Sequence, residues 1–195
     1  MNLTLPAYTH IAAILPCYQA TGDSTTIIAA DGSTTCLTSR VRTVIHRLAK
    51  TRAVDLSALR TKTRAATERK NLEPLPLAPG LVLVPVKVRR PRVAGDTTTG
   101  YVNLHAVTAV VTNKNKPYQT TVRLSGKTEI PVLWTPATVN HQLALARLAA
   151  TTAPAQAVMI SSFHETFPGY APELLTLAVK LVDVFNEILC MKQKQ

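Results

Sequence analysis

The segment TTIIAADGSTTCLT, residues 25–38, restricts the fold more than any other. Two β-prone runs flank Asp31-Gly32, and both of those residue types tolerate positive φ. That spacing predicts a two-residue type I′ turn and a tight antiparallel hairpin. YTHIAAIL, 8–15, reads as the strand before it. SRVRTVI, 39–45, alternates Val41, Thr43 and Ile45 with Arg40, Arg42 and Val44. It fits a third strand with one basic face, or the start of a helix, and the strand is the expectation. EPLPLAPG, 73–80, reads as a Pro-rich connection. LVLVPVKV, 81–88, is a further strand in which Pro85, having no N–H to donate, asks for an edge or a bulge. YVNLHAVTAVV (101–111), QTTVRL (119–124) and TEIPVLW (128–134) read as three more strands, with NKNK and SGK as turns.

Two regions change period. Asp55 is a good N-cap, and neither Gly nor Pro follows until Pro74. Leu56, Leu59, Thr63 and Ala66 share one narrow stripe on a helical wheel. A helix over 55–70 would therefore rest on the core by a thin edge. Arg60 and Arg64 flank the stripe on one side, Lys62 and Arg69 on the other, and Lys70 near the stripe marks the helix end. The last third reads as helical. In TVNHQLALARLAAT, 138–151, Leu143, Ala146, Leu148 and Ala150 argue for a packed helix. PELLTLAVKLVDVFNEILCMK, 172–192, opens with Pro172 and Glu173 at a helix N-terminus. Its wide apolar face, Leu174, Ala178, Leu181, Phe185 and Ile188, suits either core or a dimerisation element. The expected class is α+β: mainly antiparallel sheet in the first two thirds with one basic helix, and a helical C-terminal third. A single domain over residues 1–195 is expected, since 46% apolar content is enough for one sizeable core, with two small domains as the alternative.

Charge is the second constraint. Only 17% of residues are charged, yet the net charge is +11, so the chain is short of acids. Between Arg40 and Arg92 stand fourteen Lys and Arg against three acids, Asp55, Glu68 and Glu73, a balance of +11. Outside that window the remaining eight basic and eight acidic residues cancel. A field so concentrated attracts polyanions, nucleic acid above all. Arg40, Arg42, Arg47, Lys50 and Arg52 come from the strand and linker before the basic helix. Arg60, Lys62, Arg64, Arg69 and Lys70 come from the helix itself, and Arg89, Arg90 and Arg92 from RRPR. Thr61, Thr63 and Thr67 add hydroxyls for phosphate oxygens. No Phe, Tyr or Trp occurs from 19 to 100, which argues against a base-stacking surface and for contact with a duplex backbone. RRPR on a Pro-punctuated loop suits a narrow minor groove.

Signals for catalysis are missing. There is no GxxxxGK[ST], GxGxxG or GxSxG, and His10, His46, His105, His141 and His164 show neither HxxxH nor HExxH spacing. SSFHE, 161–165, brings Ser, His and Glu too close in sequence for a triad. Cys36 reads as a small core residue rather than a nucleophile. No enzymatic activity, metal or cofactor is expected. Three widely spaced cysteines, Cys17, Cys36 and Cys190, point to a reducing compartment. The N-terminal MNLTLPAYTHIAAILPCY lacks a basic leader region, and the apolar stretch 174–189 carries Lys180, Asp183 and Glu187. Neither a signal peptide nor a membrane span is expected, and the expected location is cytoplasmic, at the nucleoid.

Four places, in chain order, resemble the ComK family of competence transcription factors of Gram-positive bacteria: ILP at 14–16, RAVDLSALRTKTRAATERK at 52–70, LPLAPGLVLVPVKVRRPR at 75–92 and GKTEIPVLWTPATVNHQLALARL at 126–148. Together they span roughly residues 10–150. The chain departs from the family at HRLAKTR, 46–52, where an aromatic pair and glycines are usual, and at Val84, where the family has Phe. The resemblance implies a sequence-preferring activator of DNA-uptake genes. It would bind paired A/T-rich boxes on double-stranded DNA largely through the minor groove, as homodimers that pair on DNA, under control of a proteolytic adaptor. It places the DNA contacts on the helix at 55–70 and on RRPR. Two rivals use the same charge: a non-specific RNA- or ribosome-associated protein, and an enzyme on an anionic substrate whose site gathers distant His and Glu residues.

Overall fold

A computed structural model of the chain describes residues 6–20, 22–68 and 71–152. Contacts divide the chain into two units, Met1–Ala153 and Pro154–Gln195, and every described residue belongs to the first. Arg69, Lys70, the SSFHE cluster and the helix expected at 172–192 lie outside the described residues.

A 3-10 turn at Tyr8–His10 leads into β1 (Ile11–Gln19), β2 (Gly22–Ala29) and β3 (Thr34–Leu37). Two helices follow, α1 (Val41–Thr51) and α2 (Leu56–Thr67). The chain returns through β4 (Leu75–Ala78), β5 (Leu81–Lys87) and β6 (Thr99–Asn103). After a 3-10 turn at Leu104–Ala106 come β7 (Val107–Thr112), β8 (Thr120–Leu124), β9 (Glu129–Val132) and α3 (Pro136–Thr152). The class is α+β. One sheet has six antiparallel strands in the order β3-β2-β1-β6-β5-β4, and a second has three in the order β7-β8-β9.

Five local expectations need correction. The hairpin forms, with Ile28 opposite Thr34, but its turn is not type I′. Ala29 N donates to Ser33 O and Gly32 N to Ala29 O, so three residues make the loop. Gly32 alone takes positive φ, at 88°. Asp31 has no need of it, because its carboxylate accepts from Ser33 N at 2.8 Å and closes a local turn.

Residues from Val41 on form a helix, not a third strand with a basic face. Val41, Val44, Ile45, Leu48 and Ala49 are all buried. Their i, i+3, i+4, i+7, i+8 spacing gives one helical stripe, whereas alternation would expose Val44 and Leu48. The Pro-rich connection contains β4, which pairs with β5 over Leu81–Leu83. Beyond Leu83 that edge of β5 has no β4 partner, and Pro85 sits there, as its missing N–H requires. The strand expected over 101–111 is two strands in two sheets. Buried Asn103 makes the break: its amide donates to Ile11 O and Gly80 O, and its oxygen accepts from His105 N. In α3 the buried positions are Val139, Leu143, Ala146 and Ala149, while Leu148 is 47% exposed.

Residues directly opposite in an antiparallel pair share a face. Ile14, Ile27 and Tyr101 stand opposite one another, as do Leu75 and Leu83. These pack beneath α1 and α2 with Val41, Val44, Ile45, Leu48, Leu56 and Leu59. The other face presents Ala13, Ile28, Val84, Val86 and Val102 to the second sheet and to Val139, Leu143 and Ala146 of α3. Each large aliphatic buried this way contributes roughly 1.5–3 kcal/mol before chain entropy is counted. Both helices from the basic window therefore ride on one face of the six-stranded sheet.

Candidate nucleic-acid interface

The burial stripe of α1 leaves Arg42, Thr43, His46, Arg47 and Lys50 exposed on its other side. Arg40, just before the helix, is also exposed. Arg52 follows it, with its guanidinium 4.1 Å from the centroid of the Tyr8 ring. The apolar side of α1 is locked to the sheet, so its basic side faces outward as a fixed array. An open groove of about 610 Å³ runs between α1 and the start of α2, lined by Thr43, His46, Arg47, Lys50, Val54 and Ser57 among others.

Asp55 caps α2, accepting from Ser57 N at 2.7 Å and Ala58 N at 3.3 Å. The helix stops where Glu68 turns left-handed, at φ 53°. Its buried stripe is Leu56, Leu59, Thr63 and Thr67, not Ala66. Thr63 and Thr67 are thus core residues, and the hydroxyl of Thr67 donates to Thr63 O at 2.7 Å. The phosphate role expected of those two threonines does not fit their burial; Thr61 is exposed, with its hydroxyl donating to Ser57 O.

Arg60 and Arg64 are engaged inward. Both reach Glu73, Arg60 at 3.4 Å and Arg64 at 3.1 Å, and the Glu73 side chain is only 7% exposed. A carboxylate so buried is costly unless paired, and two guanidiniums pair it. Tyr101 lies close by; burial pushes its hydroxyl pKa up, while the charge of Arg60 pulls the other way. Lys62 is exposed on the opposite side of α2.

RRPR is divided in the same manner. Arg89 is mostly buried and pairs with Asp23, donates from Nε to Thr97 O at 2.7 Å, and lies over the Tyr18 ring at 3.8 Å. Burial alone would raise the Asp23 carboxyl pKa, but hydrogen bonds from Thr97 and Arg89 outweigh it and lower it. Arg92 lies 4.2 Å over the same ring. Both guanidiniums thus lie within cation–π range of the one Tyr18 ring. Arg90 is exposed.

The expected site is thereby sorted. Arg40, Arg42, Arg47, Lys50, Lys62 and Arg90 form no ion pair among the described residues, whereas Arg60, Arg64 and Arg89 do. The sequence reading missed Tyr18, Asp23, Glu73 and Asp96. Asp96 had a signal, as the only acid between Glu73 and Glu129. Cys36 is exposed on the edge strand β3, not a core residue, with Sγ 3.6 Å from the Thr26 hydroxyl. Among the described residues no three His, Cys, Asp or Glu gather as metal ligands, and no helix is long and apolar enough to cross a membrane. No family model, no curated protein and no solved structure matches the chain.

Proposed function

We propose that this protein binds duplex DNA, with the outward face of α1 on the phosphate backbone, and acts as a transcription regulator of the ComK type. The observation that carries the reading is the α1 face itself. Arg42, His46, Arg47 and Lys50 are exposed together, and none of them has a carboxylate partner among the described residues. Cations left unpaired on a rigid element suit phosphate neutralisation and counterion release. Arg40 and Lys62 extend the array. The finer reading, an activator that prefers A/T-rich boxes and works as paired homodimers, draws on the colinear resemblance, whose span of roughly 10–150 falls within the unit ending at Ala153. Base stacking on Tyr18 is disfavoured, because Arg89 and Arg92 already lie against that ring.

The test is fluorescence anisotropy with two duplexes of equal length, one carrying two A/T boxes and one rich in G/C, each at two salt concentrations. Tighter, salt-sensitive binding to the first supports a sequence-preferring regulator. Equal, salt-sensitive binding reduces the reading to a polyanion binder. No binding to either overturns it.

A further inference from the structure

The segment between β5 and β6 is a loop held at several points along its length. Val88 N donates to Thr98 O at 3.0 Å and closes its neck. Asp96 Oδ2 accepts from the Tyr18 hydroxyl, from Arg92 N at 2.9 Å and from Val93 N at 3.1 Å. The Tyr18 oxygen accepts from Arg92 N at 3.1 Å as well. Asp23, opposite Tyr18 on the neighbouring strand, accepts from Thr97 N and pairs with Arg89. The loop is thus bound to the far end of the β1–β2 hairpin by contacts that cross 66 to 78 residues of sequence.

These contacts leave the outer run of the loop, residues 90–95, exposed. Arg90 and Pro91 are exposed, and Val93 is 66% exposed, the most exposed large apolar side chain among the described residues. A free guanidinium beside a small apolar tip is the chemistry that enters minor grooves: the cation seeks the negative potential of a narrow groove, and the apolar group wedges at a base step. Such a tip discriminates only if it is held in place, since a mobile loop spends binding energy on ordering itself.

We propose that Tyr18 and Asp96 are positioning residues for DNA recognition, holding the 89–97 loop so that Arg90 and the Val93 tip read an A/T-rich minor groove. The inference rests on the DNA-binding reading above. It assigns sequence discrimination to this loop and sequence-independent affinity to α1. Arg89 is then a strut rather than a contact.

The test uses the full chain and the two duplexes, and reads the ratio of their dissociation constants together with the salt slope and the melting temperature. Arg90→Ala should lower the A/T preference about tenfold, the size of one lost groove contact. Asp96→Ala should lower it similarly, although Asp96 itself faces Tyr18 and the loop backbone. Asp96→Asn keeps a carbonyl oxygen for the same donors and should restore most of the preference. Tyr18→Phe, which keeps the ring and both stacked guanidiniums, should give a smaller loss and serves as the probe if Asp96→Ala does not fold. A purely structural role would lower the melting temperature and leave the ratio alone. An unchanged ratio in Arg90→Ala, or in a folded Asp96→Ala or Tyr18→Phe, overturns the inference. Wild-type protein that binds both duplexes equally also overturns it while leaving phosphate binding by α1 intact. Wild-type protein that binds neither removes the earlier reading and this one with it.

Discussion

Arg64 donates to the buried carboxylate of Glu73 across 3.1 Å, and this pairing turns two basic residues of the expected DNA-contacting helix into supports. Arg60 completes the arrangement from the preceding turn of α2. Removing both leaves a carboxylate in the interior without a partner. Arg60→Ala with Arg64→Ala should cost about 2 kcal/mol of stability, toward the low end for a broken buried pair because Arg64 itself is half exposed. Either change alone should cost less than half of that, since the remaining guanidinium still pairs. The urea midpoint checks this. The salt slope of DNA binding should stay close to the wild-type value, and a drop of two units would return these arginines to the backbone.

The exposed face of α1 should behave in the opposite way. Arg42→Ala, Arg47→Ala and Lys50→Ala combined should weaken binding to every duplex and reduce the salt slope by roughly three units, at about 0.9 per phosphate contact. The melting temperature should hardly move, because all three are exposed and none is ion-paired among the described residues. Titrating log K against log salt for the triple variant and wild type decides the matter. An unchanged slope would place the backbone contacts elsewhere.

Gly126 packs against the hairpin turn at Gly32, where the two sheets meet backbone to backbone. A β carbon on Gly126 would sit 2.5 Å from Gly32 N and 2.8 Å from Ala30 O. Those atoms belong to a tight turn and have little room to retreat. Gly126→Ala should therefore destabilise the fold by about 1–3 kcal/mol. Thermal unfolding followed by circular dichroism provides the measurement. A loss within error would mean that the turns separate easily.

Acid should loosen the 89–97 loop, and the sign follows from two carboxylates. The hydroxyl of Tyr18 and the N–H groups of Val93 and Arg92 hold the Asp96 carboxyl below its usual pKa, and Asp23 is likewise lowered on balance. A depressed folded-state pKa gives stability that is complete above the unfolded value, about 3.9, and is lost as pH falls through the lower folded value. Stability from this source should be flat from pH 8 to about 5 and decline below about 4. Asp96→Asn should remove its share of that decline. Melting temperatures of both proteins across this range check the prediction.

Much of this protein is written locally. Asp55 followed by an uninterrupted helical pattern marks the start of α2, and the β-prone runs around Asp31-Gly32 mark the hairpin, because caps and turns depend on residues a few positions apart. The segregation of charge between Arg40 and Arg92 is equally legible, being only a matter of counting. The seven residues of SRVRTVI were too few to separate two periods, and the helix declares itself only when the stripe runs on through Leu48 and Ala49. Tertiary structure alone decided where 101–111 would split, because the partners of Asn103 are Ile11 and Gly80. It also decided which cations stay available. Arg64 is claimed by a carboxylate nine residues away and Arg89 by one 66 residues away. A basic residue carries the same charge in the sequence whether it faces solvent or neutralises a buried acid. Only the folded packing brings Glu73 and Asp23 to their arginines and leaves the outer face of α1 without a carboxylate partner among the described residues.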